Sequence, residues 1–435
     1  MDSGLLATGL IAALMFLLIL GTPVGIALMA VAMLGMYIFG GWSFAWVTAQ
    51  TLPFAQMSSY TFVVIPMFLL MGTVAARIGI VNALYVAAFR WFSRIRGSVF
   101  LATVVTSTGF AALSGSTVVN AAVFTRISMP EIIRLGFDRR MGAGCIASAG
   151  TLAAMIPPSL IMVLYGTLTD SSIGAMLIAG IVPGVLTAVT FCLGIILIAS
   201  FKPQLTPDLS IRFTTREKLA PLKDIWPLAI LVFVMIYGIY AGIVPPTAAG
   251  GVGAFATIVL GFARRKLPLN VLWDAVSETV RMTASLLTII LGGLLFSRML
   301  LVTGILGDMT DFLRALDIPP IMFILALVLF YIVLGMFIDA ISMLVMTLPF
   351  VFPLVVNLGF DPIWFGIIVV KLAELGTITP PVGINLFAVV AASNGQIRTQ
   401  DVMVGIWPFI IMEFIVLALL ITFPQIVTAF VPSYL

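Results

Sequence analysis

The chain has 435 residues, of which 62% are hydrophobic and 9% charged, and a formal net charge of +4. Soluble domains carry roughly 25% charged residues, so this composition excludes a soluble enzyme and leaves a polytopic membrane protein. The small, dispersed charge gives no footing for nucleic acid. The absence of histidine removes imidazole metal sites, Ser-His catalysis and histidine proton relays.

Long Leu, Ile, Met and Phe runs without period-two alternation predict helices and not a barrel. The first run, about residues 5–20, follows Asp2 without a basic n-region and reads as a retained span, not a cleaved signal. Gly21-Thr22-Pro23-Val24-Gly25 breaks it, and a second stretch reaches Gly40-Gly41-Trp42 before a polar arm to Tyr60. A helix through Pro66 and Gly72 ends at Arg77. The amphipathic segment from Asn82 to Arg96 then carries Arg90, Arg94 and Arg96, which mark the cytoplasm or belong to a surface-lying helix with snorkelling bases.

Residues 97–125 are long enough for about 43 Å of helix, yet arginines flank both ends. With Ser114-Gly115-Ser116-Thr117 at its middle, this stretch reads as a re-entrant hairpin; the competing reading is one tilted span with a serine-rich packing stripe. A broken helix over residues 141–165 is expected to be interrupted at Gly150-Thr151 and again at Ile156-Pro157-Pro158-Ser159. A return helix follows from Gly174 to Lys202. Cys145 and Cys192 fall in these apolar stretches and read as buried thiols. Residues 201–224 form the longest polar loop, with five basic and three acidic residues from Lys202 onward, and read as a cytoplasmic linker.

The second half opens at Trp226, breaks at Gly242 to Thr247 and returns to Arg264-Arg265-Lys266. An amphipathic arm from Trp273 to Arg281 precedes a helix through Gly292 and Gly293, and Asp308, Asp311, Arg314 and Asp317 follow. Residues 318–358 lack any basic residue and read as a second hairpin with Asp339 and Ser342 inside it. A second broken helix covers residues 363–392, and a last helix runs from Trp407 to Ile426.

The halves repeat. Met129-Pro130 through Leu135-Gly136-Phe137-Asp138 and Phe352-Pro353 through Leu358-Gly359-Phe360-Asp361 share a spacing of 223 (353 − 130, 361 − 138), as do Pro157 and Pro380 (380 − 157) and Pro23 and Pro246 (246 − 23). Arginines surround the first Leu-Gly-Phe-Asp and none surrounds the second, so the positive-inside bias puts the copies on opposite faces. The expected fold is therefore an all-α inverted repeat, residues 1–200 and 225–435. It has about ten spanning helices, two re-entrant hairpins, and broken helices.

Chemistry belongs at the breaks, because unwound backbone coordinates ions and half-helix N-termini attract anions. Ser114, Gly115, Ser116, Thr117, Asn120, Gly150, Thr151 and Pro157 form one expected sodium site. Asp339, Ser342, Gly376, Thr377, Thr379 and Pro380 form the other, since both offer hydroxyls, freed carbonyls or a carboxylate as hard oxygen ligands. Ser116, Pro158, Ser159, Pro381 and Asn385 are expected to face substrate. Asp339 stands out because an intramembrane carboxylate costs roughly 3 kcal/mol to insert. Lys371 and Glu374, three apart on one helix, read as a structural bridge, and Glu413 as interfacial or subunit-facing. No phosphate-binding loop with Lys-Ser/Thr exists, so ATP drive by this chain is not expected; without a nucleophile and base pair no enzyme activity is expected, and no cofactor beyond coupling sodium.

Gly21-Thr-Pro-Val-Gly, Ile65-Pro-Met-Phe, Ser114-Gly-Ser, Gly150 to Ser159, Tyr240 to Thr247, Gly335-Met-Phe-Ile-Asp-Ala340 and Glu374 to Asn385 cover nearly the whole chain in order. This set resembles the large membrane subunit of tripartite ATP-independent periplasmic (TRAP) transporters. The resemblance implies an elevator-type secondary transporter of the bacterial inner membrane, driven by sodium. It also implies a small four-helix membrane subunit and a soluble periplasmic binding protein that delivers an organic acid. A stand-alone sodium-coupled carboxylate symporter without a binding protein is the alternative. One departure is Ala248, where the family usually has an acidic residue.

Overall fold

The computed structural model describes residues 3–431 apart from 210, 212, 305–306 and 308–318. Asp308, Asp311, Arg314, Asp317 and the first residue of the expected second hairpin lie outside the described residues. The described residues are helical, with no strand among them.

The first half runs α1 (Ser3–Ile19), α2 (Val24–Met57), α3 (Val64–Arg77), α4 (Ile80–Phe92), α5 (Ser98–Ser114), α6 (Thr117–Arg134), α7 (Arg139–Met155), α8 (Leu160–Leu168) and α9 (Ile173–Phe201). After a linker holding the short α10 (Thr215–Leu219) come α11 (Leu222–Tyr240), α12 (Pro246–Ala263) and α13 (Leu269–Val302). The chain closes with α14 (Pro320–Gly335), α15 (Ala340–Asn357), α16 (Pro362–Ile378), α17 (Ile384–Ala392), α18 (Thr399–Gly405), α19 (Trp407–Thr422) and α20 (Gln425–Thr428). Among the described residues, five helices are long and apolar enough to cross a membrane by themselves, or seven when each of two bent pairs counts as one span. The bent pairs are α7 with α8 and α18 with α19, each turning by 43°.

The repeated Leu-Gly-Phe-Asp is a helix stop joined to a helix start. Gly136 and Gly359 sit at φ 75° and 85°, where a side chain is strained. The Phe137 N–H bonds the Ile132 carbonyl at 3.0 Å and the Phe360 N–H the Val355 carbonyl at 3.3 Å, closing the end of α6 and of α15 in the same way. Asp138 and Asp361 then accept the Met141 and Trp364 N–H at 2.7 Å and open α7 and α16.

Each stretch read as a re-entrant hairpin holds two helices that pack on each other, α5 with α6 and α14 with α15. The first extends to Arg134, beyond its expected end at residue 125, because the helix stop lies at Leu135-Gly136. Two expectations are corrected. α7 is unbroken through Gly150-Thr151 and ends only at Met155. Gly150 serves close approach instead, since a Cβ there would lie 2.9 Å from the Ala121 Cβ on α6. The second-half arm and the helix after it are one 34-residue helix, α13. Its first half-turns lack any Gly or Pro, so nothing stops it before Gly292.

The halves interlock. α2 packs on α13, where a Cβ on Gly25 would lie 2.6 Å from the Thr288 carbonyl oxygen. In the same manner α12 packs on α3, with Gly250 against Phe68. α7 and α16 run buried through the centre, each carrying its own hairpin, while α17 crosses to lie on α6 and α7. On the arginine-rich face the linker is strapped to α4: Arg90 Nη1 donates to the Glu217 carbonyl at 2.8 Å and Trp91 Nε1 to that of Lys218 at 3.2 Å.

Candidate functional site: a cavity between two hairpin tips

Each proline pair ends a buried helix because the ring removes an N–H and clashes with the preceding turn. α7 therefore stops at Met155 before Pro157-Pro158, and α16 at Ile378 before Pro380-Pro381; both Pro-Pro bonds are cis. The short helices α8 and α17 restart after four or five residues. Their first turns come beside the first turns of α6 and α15, which begin at the hairpin tips.

A cavity of about 250 Å³ lies where these pieces meet. Gly115, Ser116, Thr117 and Val118 line it from the first tip and Asp339, Ala340 and Ile341 from the second. Leu160, Ile161, Thr377 and Ile384 come from the breaks, and Leu69, Met282, Ser285 and Leu286 close it from α3 and α13. Four helices thus start at its wall, at Thr117, Leu160, Ala340 and Ile384. First-turn N–H groups lack intrahelical acceptors, and the dipoles place positive potential there. Among the described residues no lysine or arginine lines the cavity, and Asp339 is the one ionisable side chain there.

Asp339 caps α15. Its Oδ1 accepts the Ile341 and Ser342 N–H groups at 3.0 Å each, and its Oδ2 accepts the Ser342 hydroxyl. Gly383 donates its N–H to the Met336 carbonyl at 3.0 Å, tying the second tip to the second break. Gly335 and Gly376 cross so closely that a Cβ on Gly376 would lie 2.6 Å from the Gly335 Cα. The Thr377 hydroxyl donates to the Glu374 carbonyl at 2.8 Å and that of Thr379 to the Leu375 carbonyl at 2.5 Å, leaving lone pairs at the break. Of this group only Asp339 and Thr377 reach the cavity; Ser342 and Gly376 pack behind it.

The first tip is tied by amide and hydroxyl. Asn120 Nδ2 donates to Ser107 Oγ at 3.0 Å and to the Gly150 carbonyl at 3.4 Å, and Ser107 Oγ donates to the Ala149 carbonyl at 2.6 Å. A Cβ on Gly115 would lie 3.1 Å from the Pro158 carbonyl oxygen, so the tip touches the break. Asn120 Oδ1, Ser114 Oγ and Ser148 Oγ are buried without a hydrogen-bond partner among the described residues. Buried acceptors left open in this way fit a bound cation. Thr151 instead donates to the Ser148 carbonyl at 2.7 Å within its own helix.

Ser116 lines the cavity, whereas Pro158, Ser159, Pro381 and Asn385 do not. Ser159 is buried as the cap of α8, and Asn385 is buried on the first turn of α17 with both amide atoms unpartnered. Sequence reasoning missed Ser107 and Ser148; Ser107 meets the carbonyl of Ala149, next to Ser148, because α5 packs on α7.

Lys371 and Glu374 form the expected bridge at 3.0 Å. Glu413 is neither interfacial nor subunit-facing: it is fully buried and also pairs with Lys371. α19 packs on α9 and α16 in the interior, so one face of a helix read as peripheral is core. Of the two cysteines, Cys145 is buried and Cys192 half-buried.

From the central cavity a wider, polar cleft continues between α6 and the pair α3 and α13. Its 480 Å³ chamber shares Val118 and Met282 with the cavity and holds Arg77, Arg126 and Glu278. A further 520 Å³ chamber beyond it holds Asp274 and Arg281. Arg77 pairs with Glu278 at 2.6 Å across α3 and α13.

The family model for the tripartite ATP-independent periplasmic transporter, DctM component, matches residues 11–426. The chain belongs to that family. It is a transporter permease, not an enzyme. The permease is 33% identical over 385 residues to a C4-dicarboxylate TRAP transporter large permease protein of Pseudomonas aeruginosa, covering 88% of each chain. It is 26% identical over 410 residues to a sialic acid TRAP transporter large permease protein of Vibrio cholerae, covering 94% of each. Its fold is similar to that of the YdaH transporter of Alcanivorax borkumensis, with a TM-score of 0.61, 15% identity, and 89% and 90% of the two chains covered.

Proposed function

We propose that the permease is the large subunit of a sodium-coupled system of the bacterial inner membrane that takes up a small organic acid. A periplasmic binding protein delivers the acid, and a small membrane subunit completes the scaffold. The observation that carries this reading is the cavity at which both hairpin tips and four helix starts meet without a basic side chain. Helix starts, with the first-turn N–H groups that the Ser116, Ser159 and Asp339 caps leave unbonded, suit a carboxylate. An acid beside Asp339 in a desolvated cavity is, however, two negative charges with no protein cation, and several kcal/mol of desolvation oppose it. Coupling cations resolve that imbalance. One is held by Ser114, Asn120 and the Gly150 carbonyl region, the other by Asp339 and the freed oxygens around Thr377 and Thr379.

In this reading the hairpins with α7, α8, α16 and α17 form the moving body of an elevator. α2, α3, α12 and α13 form the scaffold, within an inverted repeat of about ten crossings. The cleft past Arg77 and Arg126 leads to the arginine-rich face, so the arrangement described is open to the cytoplasm. The substrate class rests on the substrates for which the relatives are named, a C4-dicarboxylate and sialic acid, together with the cavity's electrostatics.

Proteoliposomes holding the permease and its small subunit test the reading, with binding protein, labelled acid and an inward sodium gradient. Uptake is expected only with sodium and binding protein together. Full-rate uptake in sodium-free buffer sinks the coupling, and full-rate uptake of free acid replaces the tripartite reading with a stand-alone symporter.

A further inference from the structure

Outside the cavity, the strongest unexplained chemistry is the buried cluster on α9, α16 and α19. The Lys371 ammonium donates to Thr187 Oγ1 at 2.9 Å and Glu374 Oε2 at 3.0 Å, and pairs with Glu413 Oε2. All four residues are fully buried. An ammonium has three protons, and here three oxygens surround it. Glu374 Oε1 and Glu413 Oε1 accept no hydrogen bond among the described residues, so Lys371 is what holds the two carboxylates beside each other. Without a cation there, two carboxylates face each other in the interior, and staying buried costs several kcal/mol of desolvation or the uptake of a proton.

The first half shows what the cluster replaces. The repeat spacing puts Ser148 at the counterpart of Lys371 (371 − 223), Thr151 at that of Glu374 (374 − 223) and Thr190 at that of Glu413 (413 − 223). Three neutral hydroxyl residues occupy the positions that in the second half carry one cation and two anions. Neutral hydroxyls in one half thus stand where the other half holds a buried ion cluster.

We infer that Glu374, Glu413 and Thr187 form a monovalent-cation site whose occupant, the Lys371 ammonium, is tethered to α16. The tether sets it apart from the exchangeable sites at the breaks. The cation bridges the two carboxylates and offsets one of their two charges while never being released to either side, and it fastens helices of both halves into one body. The compact ammonium, with three donors, suits a three-oxygen cradle better than the planar guanidinium of arginine.

Chemical replacement of the tether tests this. Purified wild-type permease, K371A and K371A/E413Q are melted at constant saturating sodium, with propylammonium chloride titrated against choline chloride at equal ionic strength. K371A is expected to melt roughly 5–10 °C below wild type. Propylammonium should restore about half of that loss or more along a saturating curve, with no response in wild type and none in K371A/E413Q. Three results overturn the inference: K371A melting with wild type, propylammonium acting no better than choline, or an equal response in the double variant. Should K371A not accumulate, K371S purified in propylammonium decides the matter. Loss of folded protein on dialysis into choline supports the site, and persistence overturns it. Because sodium is held constant, a failure here is distinct from a failure of sodium coupling.

Discussion

At the tip of the first hairpin, Ser116 caps α6 by accepting the Val119 N–H at 3.5 Å. At the counterpart tip, Asp339 accepts two N–H groups at 3.0 Å and a hydroxyl. Behind the tips the contrast continues. Gly335 crosses Gly376 backbone to backbone, while their first-half counterparts are Ala112 (335 − 223) and Ala153 (376 − 223). The first hairpin is secured to α7 by the Asn120 amide and the second to α16 by close glycine packing. One backbone plan thus accepts two solutions. A neutral, hydrogen-bonded unit leaves oxygen acceptors open, and a charged, close-packed unit supplies the cavity's carboxylate.

The largest effect expected from this contrast is at the glycine crossing. Gly376→Val places branched carbons into the Gly335 backbone, which cannot give way, and should cost 3 kcal/mol or more, roughly, so that little folded protein accumulates. Ala153→Gly should cost about 1 kcal/mol. Equal membrane yields of the two variants by fluorescence-detected size exclusion break the comparison. Next, Asp339→Asn removes the cavity's carboxylate and should raise the sodium concentration for half-maximal uptake by about tenfold, near 1.4 kcal/mol. Ser116→Ala should shift it by about twofold or less. An unchanged sodium dependence in Asp339→Asn takes that residue out of the site.

Asn120→Leu keeps the bulk but strips the bonds to Ser107 and the Gly150 carbonyl. A loss of about 1–3 kcal/mol in stability is expected, together with weaker sodium activation; wild-type melting and activation would return Asn120 to a packing role. The smallest effect lies in the linker, outside both units. Bonds from the Thr214 N–H and hydroxyl hold the Glu217 carboxyl below its usual value of 4.5. A depressed carboxyl contributes stability above the unfolded value and loses it as pH falls through the folded one. The protection of residues 214–219 against hydrogen exchange, taken relative to the intrinsic rate at each pH, should therefore fall only below about pH 4.5. Glu217→Gln should show no such step and leave uptake at neutral pH unchanged.

Features whose cause is local were legible in the chain itself. Leu-Gly-Phe-Asp announces a helix stop at a left-handed glycine and a restart at an aspartate cap, and both copies fold in that way. The Pro-Pro breaks and the Gly-Ser turn are equally local, because a missing N–H or a missing Cβ acts on its own backbone whatever lies nearby. Gly150 looked like such a break, yet it sits within a continuous helix, since a glycine loosens a helix only when no neighbour needs the space. Family membership and a membrane-embedded helical fold were also readable, from composition and from motifs in order along nearly the whole chain.

What the tertiary structure alone decided is which faces meet. Glu413 lies 42 residues from Lys371 (413 − 371), and nothing in the intervening sequence turns α19 toward α16. Ser107 finds Asn120 only when the hairpin closes, and Leu160, Ile161 and Ile384 reach the cavity ahead of the polar residues beside them because of how the broken helices are rotated. Local backbone chemistry fixes where a helix begins and ends. The side chain that faces a cavity, a cation or another charge is set by the sum of many weak packing contacts from distant segments, and that sum exists only in the folded chain.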